Sequence, residues 1–136
     1  MNTMVSDAEL DLMVDADPTA AGRARRAVAC HRFVGAAQEP ALLLLVSELV
    51  SNSVRPAGLR AGERIRLRAR RNAACAHVEV CDRGRSGVVP AKRERSAGAL
   101  DAGGLGLLLV DEMADRWGVS VDGHETCVWF ELACDA

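Results

Sequence analysis

The arrangement of apolar and polar residues along the chain predicts five strands. The clearest alternation covers residues 64–70, where an arginine occupies every second position and an apolar residue lies between each pair. This pattern is typical of a half-buried strand with one face toward solvent. Shorter alternating segments predict an edge strand at 10–14, a second hairpin strand at 76–81 and two closing strands at 118–121 and 127–132.

Three further segments have the apolar spacing of helices: residues 19–37, 41–54 and 105–114. Asp17 and Pro18 precede the first helix, as an N-cap residue and a proline at the first helical position. Its inward-facing residues are predicted to be Ala24, Ala27, Val28 and Val34. The second helix is rich in Leu and Val and ends before Pro56, because a residue that precedes proline is disfavoured in a helix. Gly58 completes this stop.

Length and composition indicate one domain, spanning residues 1–136, with a core of its own. Hydrophobic residues make up 49% of the chain and charged residues 26%, which are ordinary values for a globular protein. The net charge of −2 predicts no general attraction to nucleic acid or to a membrane. No segment resembles a signal peptide, and no apolar run approaches the roughly 20 residues of a membrane span. We therefore expect a cytoplasmic protein.

The cysteines and histidines predict neither a disulfide framework nor a metal site. The chain has five cysteines and three histidines, at positions Cys30, Cys75, Cys81, Cys127, Cys134, His31, His77 and His124. The cysteine count is odd and no C-x-x-C pair occurs, so reduced thiols are the simplest interpretation. Because no paired spacing supports metal ligation, we expect none by these cysteines.

Three short segments are candidates for a nucleotide site. Glu48 and Asn52 lie four residues apart in the second predicted helix, and therefore on one face of it. Asp82 follows a predicted strand and precedes Gly84, and the glycines at 103, 104 and 106 open a helix. Each segment alone has a plainer interpretation, as a polar stripe, a turn or a loop. Their order in one small chain favours an ATP site.

The chemistry of ATP fits these residue types. Mg²⁺ prefers oxygen ligands, and the amide oxygen of Asn52 can serve beside phosphate oxygens. The Glu48 carboxylate, one turn away, can orient or deprotonate an attacking hydroxyl. Asp82 can accept a hydrogen bond from the adenine amino group, while Gly84 allows the backbone to approach the ring. The glycine-rich segment exposes backbone amides at the start of a helix, where phosphate is favoured.

At these positions the chain resembles the GHKL-type ATPase domain in its small stand-alone form, that of the anti-sigma factor serine kinases and their actinobacterial relatives. The similarity runs from about Asp15 to Leu132. It rests on four segments, which read ELVSNSVRPAG, VEVCDRG, GGLGLLLVDEMADRWGV and TCVWFEL. The family fold implies an α+β, two-layer α/β sandwich, with a mixed, mainly antiparallel sheet covered by helices on one face.

The resemblance also implies roles for single residues. Glu48 would be the catalytic carboxylate, and Asn52 the Mg²⁺ ligand. Nucleotide contacts are implied at Asn52, Asp82, Gly84, Gly104, Gly106, Leu107 and Thr126. Residues 85–104 would form a lid over ATP. In that segment Lys92, Arg93 and Arg95 could meet phosphates, although a solvated charge run explains them equally well.

The chain departs from the family pattern at three points. Pro56 stands where many relatives carry a histidine, which removes a polar group near the pocket mouth. Arg85 and Ser86 displace the second glycine after Asp82 to Gly87. The threonine of the closing strand is ambiguous, because an alignment on VWFEL could place Cys127 rather than Thr126 in its role. None of these departures removes Glu48, Asn52 or Asp82. They therefore weaken the expectation of catalytic turnover more than that of ATP binding.

The resemblance implies an ATP-binding regulator with Mg²⁺ as its second cofactor. Its first expected form is an anti-sigma factor with serine/threonine protein kinase activity, whose partners are a sigma factor and a STAS-type anti-sigma antagonist. It also allows for a homodimer. The alternative is a non-catalytic module of the same fold that binds proteins in a nucleotide-dependent manner. The catalytic part of a histidine kinase is disfavoured, because only 47 residues precede Glu48 and a phosphoacceptor hairpin needs long helices.

Overall fold

A computed structural model describes residues 9–54, 63–82, 104–122 and 125–133. In chain order the elements are β1 (Glu9–Asp15), α1 (Ala20–Ala29), α2 (Glu39–Val54), β2 (Arg64–Arg71), β3 (Cys75–Asp82), α3 (Gly104–Met113), β4 (Arg116–Asp122) and β5 (Glu125–Ala133). The predicted order of strands and helices is confirmed. Pro56, Gly84 and the predicted lid as far as Gly103 lie outside the described residues, whereas Gly104, the last residue of the lid, begins α3.

The five strands form one sheet in the order β1-β2-β3-β5-β4. All four neighbouring pairs within the described residues are antiparallel. β1 is an edge strand and β2 forms a hairpin with β3, as predicted. The turn of this hairpin is held by Asn72, whose Oδ1 accepts the backbone N–H groups of Ala74 at 2.8 Å and Cys75 at 3.0 Å. Such a side-chain acceptor is the reason asparagine favours turns.

The core lies between the helices and one face of this sheet, which we call the inner face. Because strand side chains alternate, the apolar residues of each strand share that face. Its largest fully buried side chains are Phe33, Phe130, Leu42, Leu45, Ile65, Leu67, Val28, Val46, Val50, Val78 and Val110. Residues from helices and strands are both in this set, so the two-layer α+β fold is confirmed. The opposite, outer face carries the alternating charged residues.

Helix α1 is shorter than the apolar spacing predicts. It ends at Ala29, whereas the sequence pattern continues to residue 37. Arg32 has a φ of 36°, in the left-handed region, which cannot continue a right-handed helix. Phe33 and Val34 are nevertheless buried, so they join the core from an irregular segment. The apolar spacing therefore predicted which residues are buried, but it did not predict where the helix ends.

The start of α1 also differs slightly from the prediction. The helix begins at Ala20, rather than at Pro18. Asp17 acts one turn earlier, where its Oδ1 accepts the backbone N–H of Thr19 at 2.8 Å and the Thr19 hydroxyl at 2.6 Å. These hydrogen bonds lower the pKa of Asp17 below its ordinary value. Asp17 therefore shapes the entry to the helix without serving as its N-cap.

The prediction of reduced thiols is wrong for two of the five cysteines. Cys81 of β3 and Cys127 of β5 form a disulfide across the sheet. They are direct partners in the register of the two strands, with their Cα atoms 4.0 Å apart. Their separation of 46 residues leaves no local spacing for a sequence pattern to detect. Strand pairing, which only the fold supplies, brings them together.

No helix in the described part of the chain has the length and apolar character needed to cross a membrane.

Candidate functional site

Helix α2 carries two of the candidate polar residues on a face that is only partly buried. Leu45, Leu49 and Val50 face the core and are buried. Glu48 and Asn52 are only partly buried, and as an i, i+4 pair they share one face of the helix. The helix packs against both β3 and α3. Helix α2 therefore lies beside a central strand and a second helix.

The side-chain oxygen of Asn52 is buried without a hydrogen-bond partner among the described residues. Burial of an acceptor without a partner costs about 1–3 kcal/mol. A residue with this cost and no structural partner fits a ligand role, and an amide oxygen is a ligand that Mg²⁺ accepts. The donor chemistry at Asn52 therefore fits the cation that the resemblance implies.

Asp82 is held in place by a residue that the sequence analysis did not single out. The Ser53 hydroxyl donates a hydrogen bond of 2.7 Å to Asp82 Oδ2. Ser53 directly follows Asn52 in the last turn of α2, so this bond ties the polar end of the helix to the end of β3. The only sequence signal for this hydrogen bond was the serine beside Asn52. Serine is too common near helix ends for its presence to predict such a contact. The bond leaves Asp82 oriented on the helix side of the sheet.

Thr126 is the cross-strand partner of Asp82 in the register of β3 and β5. It is buried, with 9% of its surface exposed, and lies on the inner face beside Asp82. Cys127 is next along the strand and therefore points to the opposite face, where it forms the disulfide. Of the two candidates for the threonine position, only Thr126 is on the same face as Asp82.

The glycine-rich candidates lie at the start of α3. Gly104, Gly106 and Leu107 occupy the first turn of this helix, which packs against α2. The first backbone N–H groups of a helix have no partner within it and favour an anion such as phosphate. The fold thus joins the polar end of α2 to the end of β3 through the Ser53–Asp82 hydrogen bond, and it packs α3 against α2.

The family model of the histidine kinase-like ATPase domain matches residues 14–132 of this chain. This range contains every candidate site residue, from Glu48 to Thr126. A search of curated proteins finds no match.

Proposed function

This chain belongs to the histidine kinase-like ATPase domain family, and on that premise we propose that it is an anti-sigma factor with serine/threonine kinase activity. An ATPase domain of this family implies ATP binding, so the nucleotide follows from membership. Mg²⁺, phosphoryl transfer and the protein partners are the further steps of the proposal. The partners would be a sigma factor and a STAS-type antagonist, which are suggested by the motifs that resemble small stand-alone kinases.

The observation that carries the proposal is the buried oxygen of Asn52. It has no hydrogen-bond partner among the described residues, yet it lies one helical turn from Glu48. A residue that served only the fold would be expected to have its buried acceptor satisfied. We assign Asn52 Oδ1 to hold Mg²⁺, which supplies charge neutralisation at the phosphates when bound.

The other residues then have distinct tasks. Glu48 would orient or deprotonate the hydroxyl of the acceptor serine, because its carboxylate is on the same helix face as Asn52. Asp82 would accept a hydrogen bond from the adenine amino group, with Ser53 fixing the orientation of its carboxylate. The amides in the first turn of α3 would face phosphate. Thr126 would line the pocket beside Asp82.

The proposal can be tested by separating nucleotide binding from transfer. ATP affinity is measured by calorimetry with and without Mg²⁺, and transfer with labelled ATP and candidate STAS-type proteins. Glu48→Ala is expected to keep its ATP affinity and lose transfer. Asn52→Ala is expected to lose the Mg²⁺-dependent part of binding. Glu39→Ala is the matched control, because Glu39 is at the far end of the same helix. If Glu48→Ala and Asn52→Ala behave alike, this assignment of roles is wrong.

The alternative function is a nucleotide-dependent binding module without catalysis. It is favoured by Pro56, which stands where many relatives carry a polar residue near the pocket mouth. In that case the wild-type protein binds Mg²⁺-ATP and a sigma factor but transfers no phosphate to any antagonist. Glu48→Ala would then leave partner binding unchanged. Transfer by the wild-type protein would exclude the alternative.

A further inference from the structure

A second cluster of potential ligands lies on the outer face of the sheet, opposite the nucleotide site. Cys81 and Cys127 are direct cross-strand partners, and Glu79 is two residues before Cys81 on the same face. The two Sγ atoms and a carboxylate oxygen of Glu79 all lie within 4.8 Å of one another. Three ligand atoms of these types at such distances are a starting point for a metal site.

We propose that the reduced protein binds a zinc-class divalent cation through Cys81, Cys127 and Glu79, and that this state and the disulfide exclude each other. The spacing of the cysteines along the chain predicted no metal ligation. Here the two thiols come from neighbouring strands whose pairing sets their distance. Two thiolates and one carboxylate leave one position of a tetrahedral site open, as three-ligand zinc sites do.

The backbone needs little adjustment to hold a cation. With Zn–S bonds of about 2.3 Å and tetrahedral angles, the two sulfurs would be about 3.8 Å apart. The Cα atoms of Cys81 and Cys127 are 4.0 Å apart, near the spacing of a non-hydrogen-bonded antiparallel pair. Rotation about the two Cα–Cβ bonds can therefore separate the sulfurs while the strands stay paired. Hydrogen bonds of the central strands hold both ligands in register.

Glu79 has an oxygen available for a cation. Arg68 donates to its Oε1 from Nε at 3.1 Å and from Nη2 at 2.6 Å. Both of these hydrogen bonds go to Oε1, so neither occupies Oε2. An arginine that holds one oxygen fixes the orientation of the carboxylate, as partners of metal ligands commonly do. The Glu79 side chain is 20% exposed, so a cation can reach the cluster from solvent.

The charges and electrons of the two states balance. A dithiol reductant transfers two electrons and two protons to the Cys81–Cys127 bond, and is itself oxidised to a disulfide. Binding of Zn²⁺ then displaces the two thiol protons, since thiolates are the ligands. The bound cluster carries three negative ligand charges against two positive charges of the metal. Arg68, which donates to Glu79, offsets the remaining negative charge.

Cobalt spectroscopy of the full chain tests this proposal. Co²⁺ is a visible probe for tetrahedral zinc sites with thiolate ligands. The reduced protein, freed of reductant under anaerobic conditions, is expected to bind one Co²⁺ with thiolate-to-metal charge-transfer absorption, and to release it when Zn²⁺ is added. The oxidised protein is expected to show no such absorption. The proposal would be contradicted if the oxidised and reduced proteins bound Co²⁺ equally, or if neither bound it.

Variants identify the ligands. Cys81→Ser and Cys127→Ser should each lose at least tenfold in Co²⁺ affinity, and Glu79→Gln should weaken it with the thiolate absorption kept. The matched control replaces the other three cysteines, Cys30, Cys75 and Cys134, with serine and should bind as the wild type does. Circular dichroism checks that each variant is folded. Loss of binding in the triple control, with retention in Cys81→Ser, would assign the metal elsewhere and contradict the proposal.

Discussion

The two faces of the sheet use polar residues in different ways. On the outer face, charged side chains satisfy one another: Arg66 donates to both oxygens of Asp11, at 3.0 and 2.8 Å. His77 contacts Glu131 at 3.0 Å. On the inner side, most residues are apolar, and Asn52 keeps a buried oxygen without a partner among the described residues. Gln38 Oε1 is also buried without a partner among the described residues, so this property alone does not mark a ligand site. Asn52 differs because it lies one helical turn from Glu48 and next to Ser53, which binds Asp82.

The largest expected effect compares two neighbours in β2. Leu67 is fully buried on the inner face, while Arg68 lies on the outer face in an ion pair with Glu79. Leu67→Ala should reduce the free energy of unfolding by about 2–5 kcal/mol. Arg68→Ala should reduce it by about 1 kcal/mol or less, because exposed ion pairs contribute little. Urea unfolding measures both. Equal losses would show that the outer face contributes to stability as the core does.

The next effect concerns ATP affinity and two carboxylates. Asp82→Asn should weaken ATP binding about tenfold or more, since loss of a charge-assisted hydrogen bond costs about 1.5–3 kcal/mol. Asp11→Asn, on the outer face, is the control and should leave ATP affinity unchanged. Calorimetry gives both constants. An unchanged affinity in Asp82→Asn would mean that this carboxylate serves only to hold Ser53.

A smaller effect tests whether any part of the outer face is closely packed. A Cβ atom added at Gly118 would lie 2.8 Å from Nε1 of Trp129, whose ring stacks on His77. Gly118→Ala should therefore cost about 1 kcal/mol of unfolding free energy and alter tryptophan fluorescence. Gly22→Ala is the matched control, because its Cβ would meet nothing closer than 3.6 Å. In helix α1 that change should stabilise the protein by about 0.5–1 kcal/mol. If both substitutions change the free energy of unfolding in the same direction, close packing at Gly118 is not what limits it.

The smallest effect is a pH dependence on the outer face. Hydrogen bonds from Arg66 lower the pKa of Asp11 below its ordinary value. A carboxyl group whose pKa is lower in the folded state stabilises the fold above its unfolded pKa of about 4. This contribution is lost as the pH falls through the folded pKa. Asp11→Asn should thus flatten the acid limb of the stability profile, measured by thermal unfolding from neutral pH downward. An unchanged acid limb would show that this pair does not affect stability.

The sequence predicted most of the fold, because strand alternation and helical spacing depend on local burial. It predicted the charged outer face from the arginines of residues 64–70. It also grouped Glu48, Asn52 and Asp82, and the end of α2 does lie beside Asp82, while a shared role at a nucleotide stays a prediction. The end of α1 was missed, since Phe33 and Val34 are buried without being helical. The disulfide and the Ser53–Asp82 hydrogen bond were missed because each joins residues from two different elements. The sequence of one segment does not show which other element will pack beside it.

The most direct test of the account replaces Asn52 with leucine and compares unfolding midpoints with and without Mg²⁺-ATP. Leucine is similar in size and removes the unsatisfied acceptor, so without nucleotide the variant should be as stable as the wild type or more stable. A bound ligand stabilises the folded state by mass action, and the variant should lose much of this shift. A fall in stability without nucleotide, together with an unchanged Mg²⁺-ATP shift, would show that Asn52 supports the fold and not the ligand.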